Sequence, residues 1–129
     1  MERIKFLSVG NKRIKKEQSQ QWQNLIEEYA PGLYKTIDAT GEREAIDQIV
    51  SQKPEIIMIS DKIKDPIKLL KTIKSIHPEV VVFIMLSIAE DDEVIDNYIA
   101  HGAYKCYTPP LVIDTLVHDM YVSLNMECI

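Results

Sequence analysis

A chain of 129 residues, 46% hydrophobic and 27% charged, is expected to form one domain over residues 1–129, with one substantial core and no room for a second. Its formal charge of −5 argues against electrostatic attraction to nucleic acid or an anionic membrane, so direct nucleic-acid binding is not expected. The N-terminus Met1-Glu2-Arg3-Ile4-Lys5 does not resemble a signal peptide, and no run approaches the roughly 18 apolar residues of a membrane span, so the expectation is a cytoplasmic protein without membrane insertion.

Ile4 to Val9 is an apolar run interrupted by Lys5 and closed by Gly10-Asn11, which suits a first strand ending in a turn. The basic run from Asn11 to Lys16 reads as solvated surface. Trp22, Leu25, Ile26 and Tyr29 recur at i, i+3, i+4 and i+7, so Lys16 to about Tyr29 is predicted as an amphipathic helix with that stripe turned inward and Pro31-Gly32 ending it. Leu33 to Ala39 alternates as a more exposed edge strand would. A helix follows from Thr40-Gly41, acidic near its positive end, with Ala45, Ile46, Ile49 and Val50 inward and Lys53-Pro54 as its stop.

Pro54-Glu55-Ile56-Ile57-Met58-Ile59-Ser60-Asp61 is apolar without alternation until its last two residues. Both faces of such a strand must be covered, the mark of a parallel sheet between helices, and the strand delivers Ser60 and Asp61 to the open carboxyl edge of that sheet. Asp65-Pro66 starts the third helix as N-cap and first helical residue, with Ile67, Leu70, Ile73 and Ile76 predicted inside and the row Lys68, Lys71, Lys74 solvated. After His77-Pro78, Val80 to Leu86 is a second wholly apolar strand, closed by Ser87. Glu90-Asp91-Asp92-Glu93 loads carboxylates onto a helix start whose predicted buried stripe is Val94, Ile95, Tyr98 and Ile99; no spaced calcium-loop pattern accompanies them. His101-Gly102 caps that helix, Tyr104 to Thr108 forms a fifth strand, Pro109-Pro110 turns the chain, and Leu111 to about Leu124 is the last helix.

Five strand-helix pairs with short turns predict an α/β domain: a single doubly wound five-stranded parallel sheet of flavodoxin-like (βα)5 type, order 2-1-3-4-5. Cys106, in an apolar segment, reads as a small buried hydrophobe, and with Cys128 near the end it suggests neither a disulfide framework nor a zinc cluster.

Nearly the whole chain resembles the receiver domain of bacterial two-component response regulators. The resemblance rests on Pro54-Glu55 before strand three, Ser87 closing strand four, the fourth helix running into Ala100-His101-Gly102-Ala103, and Pro110 after strand five. It implies a phosphoryl-transfer site, in which an acidic pair after strand one holds Mg²⁺, an aspartate ending strand three accepts the phosphoryl group, and a lysine after strand five contacts it. Such chemistry needs a divalent cation and a lysine to neutralise charge on the equatorial oxygens.

In this sequence Ser8, Val9 and Gly10 stand where the acidic pair belongs. Counting from Pro54-Glu55 puts the acceptor position on Ser60, with Asp61 one residue later and so on the other face of the strand. Pro109 takes the lysine position, and of the phosphate-contacting set Ser87 alone remains. Cys106 takes the place of an aromatic reporter, flanked by Tyr104 and Tyr107.

The expectation is therefore a degenerate receiver (pseudo-receiver): a signal-transduction module and not an enzyme, without cofactor, whose pocket is Ser60, Asp61, Ser87 and Pro109. It would work through a protein partner or homodimer by way of helix four, strand five and helix five, with Tyr104, Cys106, Tyr107, Leu111 and Val112 on that surface. The last helix, apolar at Leu111, Val112, Tyr121 and Val122 as well as along its inward stripe, is either deeply buried or in contact with a partner. The alternative is a phosphorylatable receiver using Asp61 with Mg²⁺. Either form would suit the regulatory domain of a longer DNA-binding regulator or pilus-assembly ATPase. Flavin or cobalamin binding on the same fold lacks its phosphate loop or its histidine motif, and nucleophilic catalysis by Ser60 lacks a base, since His77, His101 and His118 fall away from that edge.

Overall fold

The two apolar runs without alternation lie inside the sheet. In the computed structural model, which describes residues 3–10, 24–109 and 112–124, the elements in chain order are β1 (Ile4–Gly10), α1 (helical at 24–29), β2 (Tyr34–Thr40), α2 (Gly41–Gln52), β3 (Ile56–Ser60), α3 (Pro66–Ile76), β4 (Val81–Met85), α4 (Asp92–Ala100), β5 (Lys105–Tyr107) and α5 (Ile113–Ser123). All strand pairings are parallel, and the order is β2-β1-β3-β4-β5, the doubly wound order expected. β3 is thus the middle strand, and β2, the alternating one, lies at an edge.

Both faces of β3 and β4 are covered. Ile57, Ile59, Val82 and Ile84 pack into the layer containing Ala45 and Ile49 of α2, Leu69, Leu70 and Ile73 of α3, and Tyr98 of α4. Ile56, Met58, Val81 and Phe83 face the opposite layer, built from Ile26 of α1 and Leu116, Val117 and Met120 of α5. Each fully buried aliphatic or aromatic side chain in these layers contributes on the order of 1.5–3 kcal/mol, which is why the pattern of these strands so strongly dictates the layering. Among the described residues no helix is long and apolar enough to cross a membrane.

The helix ends follow local chemistry. Asp65 Oδ1 accepts from the Lys68 N–H at 3.1 Å with Pro66 at the first helical position, and Asp91 Oδ1 does the same for Val94 N–H at 3.1 Å. Lys53 ends α2 in the left-handed region at φ 49°, its N–H donating to the Ile49 carbonyl.

Several side chains depart from the expected faces. In α1, Ile26 is buried but Leu25 and Tyr29 are exposed, because the inward side runs through Ile26 and Ala30 instead; Trp22 lies outside the described residues, as do the basic run from Asn11 to Lys16 and Cys128. Val50, Ile76 and Ile99, each expected inward, are exposed at 60%, 46% and 43%. All three sit in the last turn of their helix, on the side that the neighbouring elements leave uncovered. Leu69, not expected inside, is fully buried, so the inward face of α3 is Leu69, Leu70 and Ile73.

Lys74 is not part of a solvated row. Its Nζ donates to the Val80 carbonyl at 2.9 Å, and its stem lies over Gly102. Gly102 holds φ 111°, a conformation that L side chains rarely adopt, and a Cβ placed there would meet Lys74 Cγ at 2.9 Å. The turn from α4 into β5 thus fits closely against α3.

Candidate functional site

β3 and β4 end in register at the carboxyl edge of the sheet, with Ser60 opposite Met85. One further rung follows, because the Asp61 N–H donates to the Met85 carbonyl at 3.0 Å. On the next strand the Leu86 N–H donates to the Tyr107 carbonyl at 2.8 Å. At Ser87 no backbone carbonyl takes over, and the Asp61 carboxylate does so instead. The Ser87 N–H lies 3.1 Å from Oδ1 and 3.0 Å from Oδ2, and the Ser87 hydroxyl donates to Oδ2 at 3.2 Å.

The offset inferred from counting is therefore corrected. Asp61, and not Ser60, shares the pocket with Ser87. Ser60 continues the Ile56 and Met58 side of the strand, and its Oγ accepts from the Lys62 N–H at 3.2 Å in the turn that follows. Asp61 continues the Ile57 and Ile59 side, the side of α4. The count from Pro54-Glu55 runs one residue short of the edge defined by Met85 and Ser87.

Tyr98 of α4 lies beneath this edge. Burial is the main cause that raises its phenol above the usual range, with smaller contributions from Asp61, Cys106, Glu90 and Asp65. No sequence pattern marked Tyr98 as part of the site; its helical spacing indicated only a core position.

At the end of β1 stand Ser8, Val9 and Gly10, and the Val9 side chain is buried. Among the described residues no group of three or more His, Cys, Asp or Glu side chains could hold a metal ion. The Asp61 carboxylate accepts hydrogen bonds from the Ser87 amide and hydroxyl. With no carboxylate at the end of β1, these residues do not match a Mg²⁺ centre held through a pair of carboxylates there. Pro109 is exposed after β5 and offers no cation.

The face formed by α4, β5 and α5 is mixed. Tyr104 is 47% exposed, its ring edge-on to Phe83 with centroids 5.7 Å apart, and Val112 is 55% exposed. Tyr107, expected on this surface, is buried. Its hydroxyl donates to Asp119 Oδ2 at 2.7 Å, and its ring packs against Phe83. Lys105 Nζ meets the same carboxylate oxygen at 2.8 Å. Burial pushes the Asp119 carboxyl upward, but the hydrogen bonds from Lys105 and Tyr107 outweigh it and leave it below the usual carboxylate range. Cys106 is half-buried, and burial pushes its thiol up to about 11, away from the reactive thiolate form. Leu111 and Pro110 lie outside the described residues. Of α5, Leu116, Val117 and Met120 are buried, while Val122 is 47% exposed.

No protein-family model and no curated protein matches the chain. Solved structures do. The signal receiver domain of a DNA-binding response regulator from Colwellia psychrerythraea superposes with a TM-score of 0.82 at 21% identity, over 95% of this chain and 99% of that one. A two-component response regulator from Clostridium difficile gives 0.81 at 22% identity, over 95% and 97%. A response regulator receiver domain protein from Clostridium thermocellum gives 0.80 at 17% identity, over 94% of each chain. The chain has the receiver-domain fold.

Proposed function

We propose that this chain is a signal-transduction regulatory module, a non-enzymatic cytoplasmic relative of response-regulator receivers that acts through protein contacts and not through a Mg²⁺-dependent aspartyl-phosphate cycle. One observation carries the reading: the sheet edge around the pocket aspartate has Ser8, Val9 and Gly10 at the end of β1 and Pro109 after β5. An aspartyl nucleophile in that setting has neither an acidic pair at the end of β1 to bring a divalent cation nor a lysine after β5 to meet the charge on the transferring phosphoryl group. The face of α4, β5 and α5, with Ile99, Tyr104, Val112 and Val122 exposed on it, is the proposed contact for a protein partner or a second copy. The module would serve within a longer regulator or beside a separate output protein.

A second reading, phosphorylation of Asp61, is favoured by one observation, the meeting of the Asp61 carboxylate with Ser87 at the sheet edge. Intact-mass measurement after incubation with acetyl phosphate and Mg²⁺ separates the two. The proposed function predicts an unchanged mass. A gain of one phosphoryl group, absent in Asp61→Asn, would establish the second reading instead.

A further inference from the structure

The loop from Leu86 to Asp91 connects β4 to α4, and both of its ends are fixed. Leu86 N–H donates to Tyr107 O, and Asp91 caps α4 through Val94 N–H. Between them Ser87, Ile88 and Ala89 are exposed, with Ile88 at 64%, so packing does little to set their course. Between the ends of this stretch, Ser87 is tied by side-chain hydrogen bonds to Asp61.

We infer that Asp61 is a built-in latch: its main chain is zipped to β4 and its carboxylate grips Ser87, holding the β4–α4 loop and the start of α4 in one fixed arrangement. Asp61 binds the end of β4 twice over. Its N–H donates to Met85 O, and its carboxylate accepts from the amide and hydroxyl of Ser87. Backbone and side chain of one residue thus extend the sheet past its last ladder rung and then replace the missing carbonyl acceptor. A carboxylate is the stronger acceptor for such a task, since charge-assisted hydrogen bonds exceed neutral ones. The consequence for the module is that the α4 side of its contact face is set by the sequence itself and needs no added group. This inference stands on the geometry of the loop and does not require the absence of phosphoryl chemistry.

Amide hydrogen exchange followed by NMR on the full chain tests it. In Asp61→Ala the Ser87 amide should exchange at least about fivefold faster, the equivalent of one net hydrogen bond, and Val94, at the start of α4, should follow in the same direction. Asp61→Asn, whose amide oxygen still accepts from Ser87 N–H, should show a smaller rise, and it carries the test if the alanine variant does not fold. Leu7 and Ile57, deep in the sheet, should keep their rates. Unchanged exchange at Ser87, or a rise shared equally by Leu7 and Ile57, would overturn the latch. The mass measurement above is independent of these outcomes, so failure of the latch and failure of the proposed function are distinguishable.

Discussion

Gly102 and Lys74 show how closely single residues are fitted. A side chain at Gly102 meets two penalties: a positive φ that L-residues avoid, and the Lys74 stem. Gly102→Ala should cost about 1–3 kcal/mol, read as a lower urea midpoint with an unchanged slope. Part of the loss is the displacement of Lys74 from the Val80 carbonyl. Combining Gly102→Ala with Lys74→Ala should therefore lose less than the sum of the single changes. Additive losses would mean that backbone conformation alone demands the glycine. Nothing in the sequence tied Lys74 to Gly102, because a lysine recurring every third residue has the spacing of a solvated row. The same holds for Asp61. Its neighbour Ser60 also ends the apolar run, and only the pairing of Ser60 with Met85 reveals which of the two reaches Ser87.

At the scale of elements, the helices are more narrowly buried than their apolar spacing implied. α3 is the clearest case: Leu69, Leu70 and Ile73 are fully buried, whereas Ile76 is 46% exposed. Leu69→Ala should cost about 2–5 kcal/mol, as deletion of core methyl groups does, while Ile76→Ala should stay within about 0.5 kcal/mol. Chemical denaturation of the two variants checks the difference, and equal losses would mean that the end of α3 packs as the spacing predicted. Strand type and order were legible because β3 and β4 carry no alternation and β2 does, and only a central or an edge position satisfies each pattern. The inward faces of the helices were less legible. Period 3.6 defines a stripe, but how much of it is covered is decided by packing, as the exposed Val50, Ile76 and Ile99 show.

Over the whole molecule, the receiver fold is retained while the carboxyl edge of its sheet carries a different set of side chains. β1 ends without a carboxylate, β5 is followed by Pro109, and the carboxylate just after β3 accepts hydrogen bonds from Ser87. At that edge the loop into α4 is joined to β3 by the Asp61–Ser87 hydrogen bonds. The most direct test is the amide correlation NMR spectrum of the protein titrated with beryllofluoride and Mg²⁺, the mimic of an aspartyl phosphate. The account predicts no saturable shift at Asp61, Ser87, Tyr98 or Cys106. Saturable shifts at those residues, lost in Asp61→Asn, would contradict it.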